Sequence, residues 1–125
     1  MSWLRDLRVV DLSTGIAGAY CTKLFADAGA DVVKVEPPGC DPLRRWSATR
    51  ADLGGGDGAL FRFLAGGKRS LVGEPGDDEV ARLVADADLL VEGFGPGVME
   101  AHDPLARHPG LVWLSLTPFG RSGPF

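Results

Sequence analysis

The sequence predicts an α/β fold: a Rossmann-like parallel sheet with helices on both faces. Three observations carry that expectation. Short apolar runs alternate with stretches of helical spacing; the joints between them are short and rich in glycine; and the first run, helix and second run make one β-α-β unit. At 125 residues, with 45% hydrophobic and 24% charged, the chain is long enough to bury one core and is expected to form a single domain over 1–125.

Arg8-Val9-Val10-Asp11-Leu12 reads as a buried strand, and Ser13-Thr14-Gly15 as the turn that leaves it. Ala17, Tyr20, Cys21, Leu24, Phe25 and Ala28 then recur at helical spacing, which predicts a helix with these residues on its buried face. Gly29 ends that helix where a left-handed residue is favoured. Asp31-Val32-Val33-Lys34-Val35 is the second strand, broken sharply by Pro37-Pro38-Gly39. Two strands joined through a helix in this way run parallel, with a right-handed crossover.

The middle is looser. Segment 40–58 holds Arg44, Arg45, Trp46 and Arg50 and ends in the flexible run Gly54-Gly55-Gly56-Asp57-Gly58. A short helix over 59–64 and a short strand Ser70-Leu71-Val72 follow. Val80, Leu83, Val84 and Ala87 mark the apolar face of the next helix, and Asp77, Asp78 and Glu79 occupy its first turn, where carboxylates complement the helix dipole. Asp88-Leu89-Leu90-Val91-Glu92 is the fourth strand, 93–97 a turn, 104–108 a helical turn, and 111–116 the last strand.

Charge and residue usage exclude several classes. A formal net charge of -4 lacks the basic excess of a nucleic-acid binder. No apolar run approaches the ~20 residues needed to span a bilayer, and Met1-Ser2-Trp3-Leu4-Arg5 lacks the apolar core of a signal peptide. A cytoplasmic protein is expected. Cys21 falls within the first helix and Cys40 in a Gly/Pro loop, while His102 and His108 lie in polar stretches; none has metal-ligand spacing, so no metal is expected.

Ligands of parallel sheets bind beyond the carboxyl ends of the strands, which selects the loops 13–18, 36–41 and 93–97. In the first, Ser13-Thr14-Gly15-Ile16-Ala17-Gly18 opens a helix, where free amides and glycines suit an anion. It carries two of the three glycines of the dinucleotide fingerprint, and Glu36 ends the second strand where a ribose-binding acid would sit. An NAD or other nucleotide module and a plain tight turn are equally open at this point. Lys68-Arg69 is a basic pair that, with Arg44, Arg45 and Arg50, suits phosphates, or else a solvated loop. In Glu92-Gly93-Phe94-Gly95-Pro96-Gly97 a rigid turn presents an aromatic ring, either to an adenine or to the core.

Several blocks in order resemble the N-terminal region of the class III CoA-transferases, which include formyl-CoA and carnitine CoA-transferases and the related α-methylacyl-CoA racemases. They are Val10-Asp11-Leu12-Ser13 with Ala17-Gly18, and Ala28-Gly29-Ala30-Asp31-Val32-Val33-Lys34-Val35-Glu36-Pro37-Pro38-Gly39. Next come Gly67-Lys68-Arg69-Ser70 and the run from Ala87 through Glu92-Gly93-Phe94-Gly95-Pro96-Gly97 to Met99. The last are Leu114-Ser115-Leu116-Thr117-Pro118-Phe119-Gly120 and Ser122-Gly123-Pro124. Together these cover nearly the whole chain.

The resemblance implies a coenzyme A site bordered by Thr14, Gly15, Ile16, Ala17, Pro37, Lys68, Arg69, Gly93 and Phe94, with Lys68 and Arg69 as phosphate partners and Phe94 near the adenosine or pantetheine. It implies CoA transfer from an acyl-CoA to a carboxylic acid, with racemisation of the acyl-CoA as the alternative, and a homodimer or a partner chain. The family commonly has asparagine where this chain has Gly93, and basic residues of some members near Ala101 and Thr117 are absent. The resemblance places the family's nucleophilic aspartate beyond Phe125. The 125-residue chain is therefore expected to be incomplete relative to the family domain, to hold no catalytic residue, and to expose apolar surface.

Overall fold

The computed structural model describes residues 2–124; Met1 and Phe125, at the two ends of the sequence reading, lie outside them. The chain runs β1 (Arg8–Asp11), α1 (Ile16–Asp27), β2 (Asp31–Glu36), α2 (Ala59–Ala65), β3 (Arg69–Val72), α3 (Asp78–Ala85), β4 (Leu89–Glu92), α4 (Pro104–Arg107) and β5 (Val112–Ser115). All pairings are parallel, in the order β3-β2-β1-β4-β5. The order reverses between β1 and β4, and such a switch point opens a crevice at the carboxyl ends of the two strands.

Alternation along the strands builds one core on each face. Val10, Val33, Val35 and Leu90 face α3 and pack with Val80, Val84, Met99 and Leu111. Val9, Val32, Leu89 and Val91 face the other way, toward Phe25 and Ala26 of α1. Each such side chain taken fully out of water contributes roughly 1.5–3 kcal/mol. Ala19, Leu43, Phe61 and Leu64 form a third cluster that seats α2 against α1.

The buried face of α1 differs from the expected one. Gly18, Ala19 and Thr22 are buried, whereas Ala17 is exposed and Tyr20 and Leu24 stay 53% and 55% exposed. The cause is close approach: a Cβ on Gly18 would lie 1.7 Å from Ser13 Oγ. Around Gly18 and Ala19 only small residues fit between α1 and the sheet, so Tyr20 and Leu24 turn outward. Cys21 is half-buried, and burial pushes its thiol up, with the Asp11 carboxylate adding to the effect.

Segment 40–58 is more ordered than its composition suggests. Pro42–Arg45 forms a 3-10 turn capped by Asp41. Gly58 donates to the Arg44 carbonyl at 2.8 Å, so close to Trp46 that a Cβ on it would meet the Trp46 carbonyl oxygen at 2.2 Å. Among the described residues, no helix is long and apolar enough to cross a membrane, and no three His, Cys, Asp or Glu side chains converge on a metal position.

Candidate functional site

Thr14, Pro37 and Phe94 come together at the carboxyl end of the sheet. They line a cleft of ≈ 100 Å³ with Leu12, Val35 and the loop Gly73-Glu74-Pro75. The β1 and β4 loops touch here, since a Cβ on Gly93 would sit 3.9 Å from Ser13 Cβ. Gly15, Ile16 and Ala17 open α1 beside the cleft, and Gly15 caps the helix with no side-chain hydrogen bond to the first turn. A helix start left in that state presents N–H groups to an anion. Gly15 takes φ 82 and ψ -157, a backbone conformation essentially reserved for glycine.

A buried polar network holds the β1–α1 loop. Lys34 donates to the Ser13 carbonyl at 3.1 Å and pairs with Asp41 at 2.9 Å. Asp41 Oδ1 accepts from the Gly15 amide at 3.2 Å and from the Leu43 amide at 2.9 Å. Burial alone would raise the Asp41 carboxyl, but the Lys34 ammonium and these amides outweigh it and hold it below the usual carboxylate range. Behind the loop, Asp11 accepts from the Ser13 amide and hydroxyl at 2.9 and 2.5 Å and from the Thr22 hydroxyl at 2.6 Å.

Lys68 and Arg69 part company. The Lys68 side chain is 1% exposed, running under α1 to within 3.8 Å of Asp11 and donating to the Ala19 carbonyl at 2.8 Å. Burial lowers its ammonium to about 8, against the partial opposition of the Asp11 carboxylate. Arg69 makes a bidentate contact with Asp31 at 2.6 and 2.9 Å. Asp31 starts β2, so Arg69 lies at the amino end of the sheet, away from the cleft. In this arrangement neither cation lines the Thr14–Phe94 cleft.

Glu36 is engaged as well. Its carboxylate takes the Arg44 guanidinium at 2.8 and 2.6 Å and the Asp41 amide at 3.0 Å. Burial opposes ionisation, but Arg44 above all drives the carboxyl below its ordinary value. Arg44 also reaches Asp57 at 2.8 Å and lies 4.2 Å from the centre of the Phe61 ring. An acid held this way is not open to a ribose hydroxyl, which removes the main support for a dinucleotide site. Arg45 is likewise paired, with Asp57 at 3.3 Å.

Sequence reasoning missed Gly73-Glu74-Pro75. The signal was present, a Gly/Pro turn at the carboxyl end of the third strand, where the strand-end rule applies as it does to the other loops.

The sequence pattern of CoA-transferase family III matches residues 4–125, most of the described chain and every loop of the cleft. The chain belongs to this family. Succinyl-CoA:mesaconate CoA-transferase of Haloarcula hispanica is 44% identical over 96% of this chain and 33% of the relative's length. Succinyl-CoA–D-citramalate CoA-transferase of Chloroflexus aurantiacus is 37% identical over 98% of this chain and 32% of its own. The crystal structure of a CAIB/BAIF family protein from Brucella suis superposes with a TM-score of 0.86 at 34% identity, over 98% of this chain and 35% of that one. The family III chain described here thus spans about a third of the length of the relatives it matches.

Proposed function

We propose that this family III chain is the coenzyme A-binding N-terminal portion of an enzyme that transfers CoA from an acyl-CoA to a carboxylic acid. The observation that carries the reading is the convergence of Thr14, Pro37 and Phe94 on one cleft at the strand ends, beside the open start of α1. The first-turn amides suit a phosphate, and the Phe94 ring offers a flat apolar face to the adenine or pantetheine. The names of the matching relatives favour CoA transfer over racemisation, and a succinyl donor is the first to try.

In the proposed reaction a carboxylate of the enzyme attacks the thioester and expels the CoA thiolate; the thiolate then attacks the enzyme-side carbonyl of the mixed anhydride, which releases the donor acid and leaves CoA on the enzyme as a thioester. A second carboxylic acid then collects the CoA. That nucleophile is not assigned to Asp11, Glu36, Asp41 or Glu92, because each is buried and engaged by neighbouring donors. The role proposed for these 125 residues is to bind and orient the CoA.

Calorimetric titration of the chain with CoA and succinyl-CoA, with NAD and ATP as controls, tests the reading. Saturable CoA binding that Phe94→Ala weakens roughly tenfold is expected. No CoA binding, or equal binding of NAD, overturns it.

A further inference from the structure

One buried acid joins three separate segments at the rim of the cleft. Glu92 ends β4, inside the sheet between β1 and β5, and is 1% exposed. Its Oε2 accepts the Phe94 amide at 2.8 Å. Its Oε1 accepts the Trp113 indole N–H at 3.1 Å and the Ser115 hydroxyl. Arg121 adds its guanidinium at 3.3 Å, donates to Ser115 Oγ at 2.7 Å, stacks 5.1 Å from the centre of the Trp113 ring and pairs with Glu100.

A carboxylate among residues as buried as Leu90 and Val91 is costly unless its oxygens are satisfied. An apolar side chain there would pack without that cost, so core stability does not explain the acid. Its partners point elsewhere. Phe94 and Arg121 sit on the two segments that enclose a second space of ≈ 420 Å³, lined by Gly93, Phe94, Pro96, Thr117, Phe119 and Arg121. Phe94 is flanked by Gly93 and Gly95, which leave the backbone around it with little steric preference. The amide bond to a charged acceptor, stronger than one to a neutral group, fixes the backbone there, while the ring packs against the core cluster that holds Val35 and Leu90.

We infer that Glu92 is a positioning residue of the CoA site. By holding the Phe94 amide and the Arg121 guanidinium on one carboxylate, it locks the 93–97 loop and the 117–123 segment in a single register and aims the Phe94 ring at Thr14 and Pro37. The inference rests on the CoA-binding reading above.

The test uses Glu92→Gln and Phe94→Ala, singly and together, with amide exchange by NMR read beside the Kd for CoA. In Glu92→Gln the β4 and β5 amides stay protected, Phe94 exchanges at least roughly tenfold faster, and CoA binds roughly tenfold more weakly. In the Phe94→Ala background, Glu92→Gln weakens binding no further, because its effect passes through Phe94. Unchanged Phe94 exchange, full additivity, or lower stability at unchanged Kd would each overturn the inference. If Glu92→Gln does not fold, Arg121→Met removes the ion pair from the rim alone; weaker CoA binding then supports the inference and an unchanged Kd overturns it. Failure of the unaltered chain to bind CoA defeats the CoA reading, and Phe94 exchange still decides whether Glu92 sets the loop.

Discussion

The Lys34 ammonium and the Asp41 carboxylate meet at 2.9 Å with both side chains out of water. Each also holds the β1–α1 loop, Lys34 through the Ser13 carbonyl and Asp41 through the Gly15 amide. Removing one partner of such a pair strands the other. Asp41→Asn is expected to destabilise the chain by about 3 kcal/mol, and Lys34→Met by a similar amount. The double variant Lys34→Met with Asp41→Leu should regain much of that stability without regaining CoA affinity. Urea midpoints and CoA titration separate the two effects; equal recovery of both would mean that the pair stabilises the core and nothing more.

Stability against pH should show two windows. The lowered Asp41 and Glu36 carboxyls contribute stability that is present above the unfolded values, about 4, and is lost as pH falls through the lower folded values. Lys68 has the opposite sign to an ordinary paired lysine, because burial lowers it to about 8 while an unfolded lysine titrates near about 10.4. Across that interval the unfolded chain holds more protons at this position, so its contribution to stability grows with pH; below the folded value the whole burial cost is present. Urea midpoints from pH 7 to 10.5 should rise more steeply for the unaltered chain than for Lys68→Met. Equal slopes would assign the change to another group.

Gly15 and Gly18 should both resist alanine, for different reasons. At Gly18 a Cβ meets Ser13 Oγ at 1.7 Å, so Gly18→Ala must push α1 off the sheet, at about 1–3 kcal/mol. At Gly15 nothing lies within 4 Å, and Gly15→Ala suffers only the backbone penalty of φ 82, again about 1–3 kcal/mol. Because the Ser13 Cβ would also lie 2.3 Å from the new methyl, Ser13→Gly should partly rescue Gly18→Ala and leave Gly15→Ala unchanged. Thermal melts of the four variants check this, and rescue of both glycines or of neither would refute the distinction.

The strands were readable because runs such as Val32-Val33-Lys34-Val35 fit only a sheet covered on both faces. That Thr14, Pro37 and Phe94 meet at one end of the sheet was readable from topology, since each follows the end of a strand. The face of α1 was not. Hydrophobic periodicity favours Tyr20 and Leu24, and the overriding fact is a distance between helix and sheet, signalled in the sequence only by the small Gly18 and Ala19. Lys68 was read as a phosphate partner or a solvated charge, and only the packing of α1 over it takes it out of water. Glu92 was visible as an acid ending a strand, but its four donors come from residues as far as 29 positions away, beyond any local pattern.

The bond from Lys68 to the Ala19 carbonyl spans 49 residues of sequence, and it bears on the order of assembly. Helix α1 and the first two strands lie within residues 8–36, but the lysine that donates to the Ala19 carbonyl arrives only with the segment before β3. Parallel pairing of this kind closes long loops and is slow. A growing chain on the ribosome would therefore carry α1 and the first two strands before it holds all the residues that line the Thr14–Phe94 cleft.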